Sequence, residues 1–194
     1  MNIDGRSALV RSTCVLAALA FALMLCSLPK AHAQSEAEHA LEHRVKAAYL
    51  YRFTDFITWP DANFGRSDAP FVITVVGRDV VAEELRSIVA DRLVAGHPIE
   101  VRRGSDSDAV RGAHMIFFAD TDRARLRELI RIAPRTALIV TETDGALAQG
   151  SVINFVVVEG RVRFEISLES AERRNLRLSS RLLAVAHAVR AGGP

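Results

Sequence analysis

The sequence predicts a single α/β domain: a mixed sheet of five or six strands, with a parallel core and a C-terminal antiparallel hairpin, flanked by helices on both faces. Three observations carry this expectation. From residue 71 to residue 141, short apolar runs rich in β-branched residues alternate with stretches of helical period. Two strands then follow one another across the turn Glu159-Gly160-Arg161. No linker, low-complexity run or repeat divides residues 34–194, a length that suits one hydrophobic core.

Taken in order, residues 38–57 place Leu41, Val45, Ala48, Tyr49, Phe53, Phe56 and Ile57 at three- and four-residue steps, one apolar face of a helix that Pro60 stops. Phe71–Val76 (FVITVV) reads as a buried strand ended by Gly77. Residues 79–90 return to helical spacing with Asp79 as an N-cap. Gly96-His97-Pro98 turns into a strand at Ile99–Arg102, and His114–Ala119 is a further buried strand. Asp120–Ile132 is helical, and Thr136–Thr141 is a strand. Strand, helix, strand, helix, strand is the order of a parallel sheet covered by helices. Val152–Val158 and Val162–Ile166 form the hairpin, after which Ser167–Arg174 and Ser179–Arg190 read as helices.

The first 33 residues have the three parts of a secretory signal. Arg6 and Arg11 supply positive charge, Cys14–Cys26 is a 13-residue uncharged apolar stretch, and Ala31-His32-Ala33 supplies the small-x-small site, with cleavage before Gln34. Thirteen apolar residues fall short of the roughly 20 that span a bilayer. Leu25 before Cys26 is unsuited to lipidation. The expected product, residues 34–194, balances 22 basic against 22 acidic side chains and holds no cysteine. That excludes thiolate catalysis, disulfides and cysteine zinc sites, and a neutral domain lacks the field for nucleic-acid binding by charge.

Reaction machinery is sparse. The chain has no Walker loop, no G-x-S-x-G elbow, no H-E-x-x-H helix and no G-x-G-x-x-G fingerprint. Gly77 stands where a nucleotide fold places its phosphate loop, yet a strand-to-helix turn explains it. Asp120 and Asp122, at the carboxyl end of a strand, suit either a divalent cation or, more simply, a helix cap. His39 and His43 share a helix face without a third metal ligand in view, and His114 reads as a core-edge residue. No metal or cofactor is expected.

Two features suit recognition. Tyr49, Tyr51, Phe53, Phe56 and Trp59 fall within eleven residues; most belong to the core by periodicity, whereas Tyr51 and Trp59 leave the stripe and are expected to be exposed. Residues 34–194 also use 21 arginines and one lysine, Lys46, with Arg173, Arg174, Arg177 and Arg181 clustered and Arg161 and Arg163 nearby. Forked guanidiniums suit carboxylate or phosphate partners.

The segments VKAAYLYRFTDFITWP, GHPIEVRR, HMIFF and above all INFVVVEGRVRFEISLESAERRNLRLSSRLLAVA resemble the YfiR-like family of periplasmic proteins, from about Arg44 to Arg190. The resemblance implies a non-enzymatic periplasmic regulator, often dimeric. Such a protein binds the periplasmic domain of an inner-membrane diguanylate cyclase, or of a sensor kinase, and holds cyclic di-GMP synthesis low until an outer-membrane, peptidoglycan-associated lipoprotein sequesters it. Disulfide-based redox control, which the resemblance would also imply, has no thiol here after residue 33. On this reading the partner surface comprises Phe164, Glu165, Leu168, Arg173 and Arg177, with Tyr51 and Trp59 as a second patch. The alternative is a small-molecule binding module reporting to a membrane receptor, with its pocket near Gly77 and Asp120.

Overall fold

The computed structural model describes residues 28–192 apart from Ser67 and Arg78. The chain divides between Leu41 and Glu42 into two compact units. Of the first, the described part is the opening of helix α1 (Leu28–Phe53), whose residues 36–41 are exposed. The export signal expected over residues 1–33 lies mostly outside the described residues. The second unit holds every strand and all later helices.

Its main sheet takes up eight strands in the order β10-β8-β7-β6-β5-β2-β4-β3. In chain order these are β2 (Phe71–Val76), β3 (Leu93–Val94), β4 (His97–Gly104), β5 (Met115–Phe118), β6 (Leu138–Thr141), β7 (Ile153–Val158), β8 (Arg161–Ser167) and β10 (Ala188–Arg190). The run β4-β2-β5-β6-β7 is parallel throughout, as the alternating strand and helix pattern requires. The β7–β8 pair is antiparallel, with Phe155 opposite Phe164, and its two-residue turn places Glu159 and Gly160 at φ 51° and 70°. Positive φ at both positions twists a turn in the sense of the flanking strands.

The sheet exceeds the expected five or six strands by its two short edges. One is β3, antiparallel to β4. The other is β10, which corrects the helix expected over Ser179–Arg190. Helix α6 covers only Ser180–Val185; Ala186 turns extended, His187 N–H donates to Phe164 O at 2.8 Å, and Ala188–Arg190 run parallel to β8. Val185 is consequently 64% exposed. Helical spacing of apolar residues lost here to the unpaired backbone groups of an edge strand.

The first helix also ends earlier than the expected Ile57. Backbone turns at Thr54, Asp55 and Phe56, with Thr54 Oγ1 donating to Tyr51 O at 2.6 Å, close it after Phe53. The freed Ile57–Thr58 (β1) pairs antiparallel with Arg177–Leu178 (β9). Because side chains alternate across each strand, the sheet has two cores. On one face Phe71, Ile73, Phe117, Val140, Phe155 and Phe164 pack with Leu50 and Phe53 of α1 and with Val81 and Leu85 of α2 (Asp79–Val89). On the other, Val72, Ile116, Phe118 and Ile139 pack with Val110 of α3 (Ser107–Val110) and with Leu126, Leu129 and Ile130 of α4 (Arg123–Ile132). Gly77 is a packing glycine: at φ 105°, a Cβ there would sit 2.0 Å from Ala119 O.

Candidate functional site

The predicted recognition residues divide into a buried set and an exposed set. Trp59 is 4% exposed, its ring edge-on to Phe71 at 5.0 Å and its Nε1–H donating to His114 O at 3.1 Å. This corrects its expected exposure: the indole N–H found a backbone acceptor 55 residues away, which let the whole ring enter the core. Phe164 is 2% exposed and lies edge-on to Phe53 and Tyr49 at 5.2 and 5.5 Å. In this arrangement neither residue offers its ring to a partner.

The exposed set centres on the chain that leaves β8. Ser167 Oγ accepts from Ser170 N–H and caps α5 (Leu168–Arg173), where Glu169 and Arg173 pair at 2.7 Å. Leu168 is half-buried against the core. After α5, Asn175 at φ 55° redirects the chain into β9, which carries exposed Arg177 opposite Thr58. Arg177 and Arg181 form no ion pair among the described residues, whereas Glu165 pairs with Arg190 at 3.3 Å. Tyr51 is half-buried and tied to α2's far end, with Arg92 stacked on its ring at 4.9 Å and donating to its hydroxyl at 3.3 Å. Arg173 and Arg177 are thus exposed a few residues apart along the chain, Leu168 packs partly against the core, and Tyr51 is held on a contact of its own.

At the carboxyl end of the parallel strands, Asp122 caps α4 by accepting from Ala124 and Arg125 N–H, both at 3.0 Å. Asp120 adopts φ 48°, and its N–H donates to Glu142 Oε1 at 3.0 Å. Among the described residues no group of three or more His, Cys, Asp or Glu gathers as a metal site. What sequence reasoning missed here is Lys46. Its side chain is 8% exposed and its ammonium pairs with both Glu42 and Glu142. Burial depresses the ammonium's pKa, but hydrogen bonds to Glu142 and Glu42 outweigh that and raise it above 10.5. The signal that could have found it is compositional: one lysine beside 21 arginines marks a site that takes a compact point charge.

His114 lies at the opposite end of the strands. Its Nδ1 accepts from Val72 N–H at 3.0 Å, so the ring hydrogen sits on Nε2 and is donated to Asn63 O at 3.0 Å. The ring stacks with Phe71 and with Phe64, at 4.9 and 5.8 Å, the three rings forming one cluster. Burial pulls its pKa below 6.5 against the hydrogen bond to the Asn63 carbonyl, with the proximity of His97 and Arg102 adding to the depression. A histidine depressed in the folded state leaves stability intact above pH 6.5 and drains it as pH falls, because the unfolded chain takes the proton first. Urea midpoints should therefore drop between pH 7 and 5, and His114→Gln should drop less; equal slopes would remove His114 from the account.

Residues 43–187 match the YfiR/HmsC-like family, and the chain belongs to that family. It is a family of periplasmic regulators of cyclic di-GMP signalling. Among solved structures, the chain is similar to that of a conserved domain protein from Vibrio cholerae O1 biovar El Tor str. N16961, with a TM-score of 0.46 and 13% identity over 62% of this chain and 55% of that one. The chain thus spans little more than half of that protein. No curated protein matches. No helix among the described residues is long and apolar enough to cross a membrane.

Proposed function

We propose that this chain, released by cleavage before Gln34, is a non-catalytic periplasmic protein that binds and inhibits the periplasmic domain of an inner-membrane diguanylate cyclase. Family membership across residues 43–187 is the observation that carries this reading. Binding lowers cyclase output by favouring the sensor's off state, to the extent that the chain's affinity for that state exceeds its affinity for the other. A periplasmic lipoprotein that competes for the same surface reverses it.

The surface is the segment leaving β8: Glu165, Leu168, Arg173 and Arg177, with Tyr51 as a second contact. Two observations support it. Arg177 is a fully available guanidinium, with no ion pair among the described residues. Leu168, at the start of the capped turn, is only half-buried, so part of its apolar side chain stays accessible. Arginine beside apolar area is a composition enriched at interface centres. Phe164 and Trp59 support this surface from within the core.

Charge reversal tests it. Arg173→Glu/Arg177→Glu should cost more than tenfold in affinity for the cyclase's periplasmic domain in co-purification and titration, while the circular dichroism and melting temperature stay near wild type. Undiminished capture by the double variant would overturn the surface.

A further inference from the structure

A cleft of about 420 Å³ opens at the amino-terminal ends of β6 and β7, between the last turn of α4, the loop before β7 and α5. Four of its lining residues are Arg131, Arg135, Arg173 and Arg174, and none is acidic. Arg131 and Arg135 are exposed and form no ion pair among the described residues. Arg173 is matched by Glu169. Arg174 is half-buried and has no carboxylate partner among the described residues: its Nη1 donates to Pro134 O and Ala137 O at 3.1 and 3.4 Å.

Electrostatic accounting leaves this cleft uncompensated. Arginines near the carboxyl end of α4 complement its dipole, but that end carries only about half a negative charge. Together with Glu169, it leaves an excess of roughly two and a half positive charges over the cleft. Burial and the neighbouring Arg173 charge push Arg174 down to about 10, so it stays cationic at neutral pH while already feeling the local excess. Two neutral groups line the same wall. Ser170 Oγ accepts from Arg173 at 3.4 Å, and Gln149 Oε1 is buried with no hydrogen-bond partner among the described residues. A buried amide oxygen without a partner calls for a donor, which a ligand hydroxyl or a water would supply.

We infer that this cleft is a binding site for a small organic dianion, a phosphate monoester or a dicarboxylate, gripped by Arg131, Arg135, Arg173 and Arg174. Its volume fits a small-molecule ligand, and planar guanidiniums bind both phosphate and carboxylate through paired hydrogen bonds. The site lies at the end of the sheet opposite Gly77 and Asp120, away from where ligands of open parallel sheets gather. It does not depend on the partner reading, although Arg173 serves both.

The test is calorimetric titration of the purified, processed protein with glycerol 3-phosphate and with succinate, at fixed ionic strength against chloride. Saturable one-to-one binding of either dianion is expected, and the one bound more tightly identifies the class. Arg131→Gln/Arg135→Gln, both on the exposed rim, should weaken it at least tenfold and leave cyclase-domain capture unchanged. Heat no different from chloride, or binding that survives the double variant undiminished, would overturn the site. Loss of capture with dianion binding intact would bear on the partner surface alone.

Discussion

Replacing Lys46 by Met is expected to remove about 3–5 kcal/mol of folding stability, the range found when one member of a buried ion pair is deleted. The ammonium lies between Glu42 of α1 and Glu142, which follows β6, and is nearly out of solvent. Without it two carboxylates face each other at the sheet's carboxyl end. Glu142 also accepts from Asp120 N–H, so the loss reaches the left-handed turn that begins α4's cap. Urea denaturation with an unchanged m-value measures it. The charge state adds a signature in pH. A lysine whose pKa is raised on folding stabilises fully below its unfolded value of 10.5 and loses that contribution as pH climbs through the raised value. Wild type should therefore weaken above pH 10.5 more steeply than Lys46→Met. A variant within 1 kcal/mol of wild type would show that the pair contributes no more than a surface bridge.

Phe164→Ala should be of similar size, about 3–5 kcal/mol, as for other aromatic truncations in cores. Phe164 and its cross-strand neighbour Phe155 form a ring cluster with Tyr49 and Phe53 of α1, which fixes α1 across the hairpin. Phe164→Leu, which keeps most of the volume, should cost under about 1.5 kcal/mol. The pair of variants also separates stability from recognition. If Phe164 acts only from inside, Phe164→Leu captures the cyclase domain as wild type does. A Leu variant that folds normally but loses capture would return the ring to the contact surface.

How much of this was legible depended on the range of the determining contact. The β7–β8 hairpin is local: alternation in Val162-Arg163-Phe164-Glu165-Ile166 and a two-residue turn suffice to set it. The parallel strands were legible because both faces are buried, which makes FVITVV apolar at every position but Thr74. Trp59 was misjudged because its acceptor, His114 O, is distant in sequence, and the end of the last helix because helical period cannot register the free edge of β8. In the candidate sites, the Arg173–Arg177 cluster was visible as composition, whereas its division was not. Arg174 turns inward to carbonyls of residues 134 and 137 and joins Arg131 of α4 and Arg135 of the loop after it, some forty positions earlier. Lys46 has no periodic signature at all, since its two partners come from one turn before it on the same helix and from a loop 96 residues later.

The central claim, that the chain restrains a diguanylate cyclase by binding its periplasmic domain, is tested most directly by the rate of cyclic di-GMP synthesis. The cyclase is reconstituted in membrane vesicles with its periplasmic domain accessible, and the purified protein is titrated against it. A saturable fall in rate is expected at the concentrations where the complex forms, reversed by Arg173→Glu/Arg177→Glu. A rate that stays unchanged while the complex is saturated would contradict it.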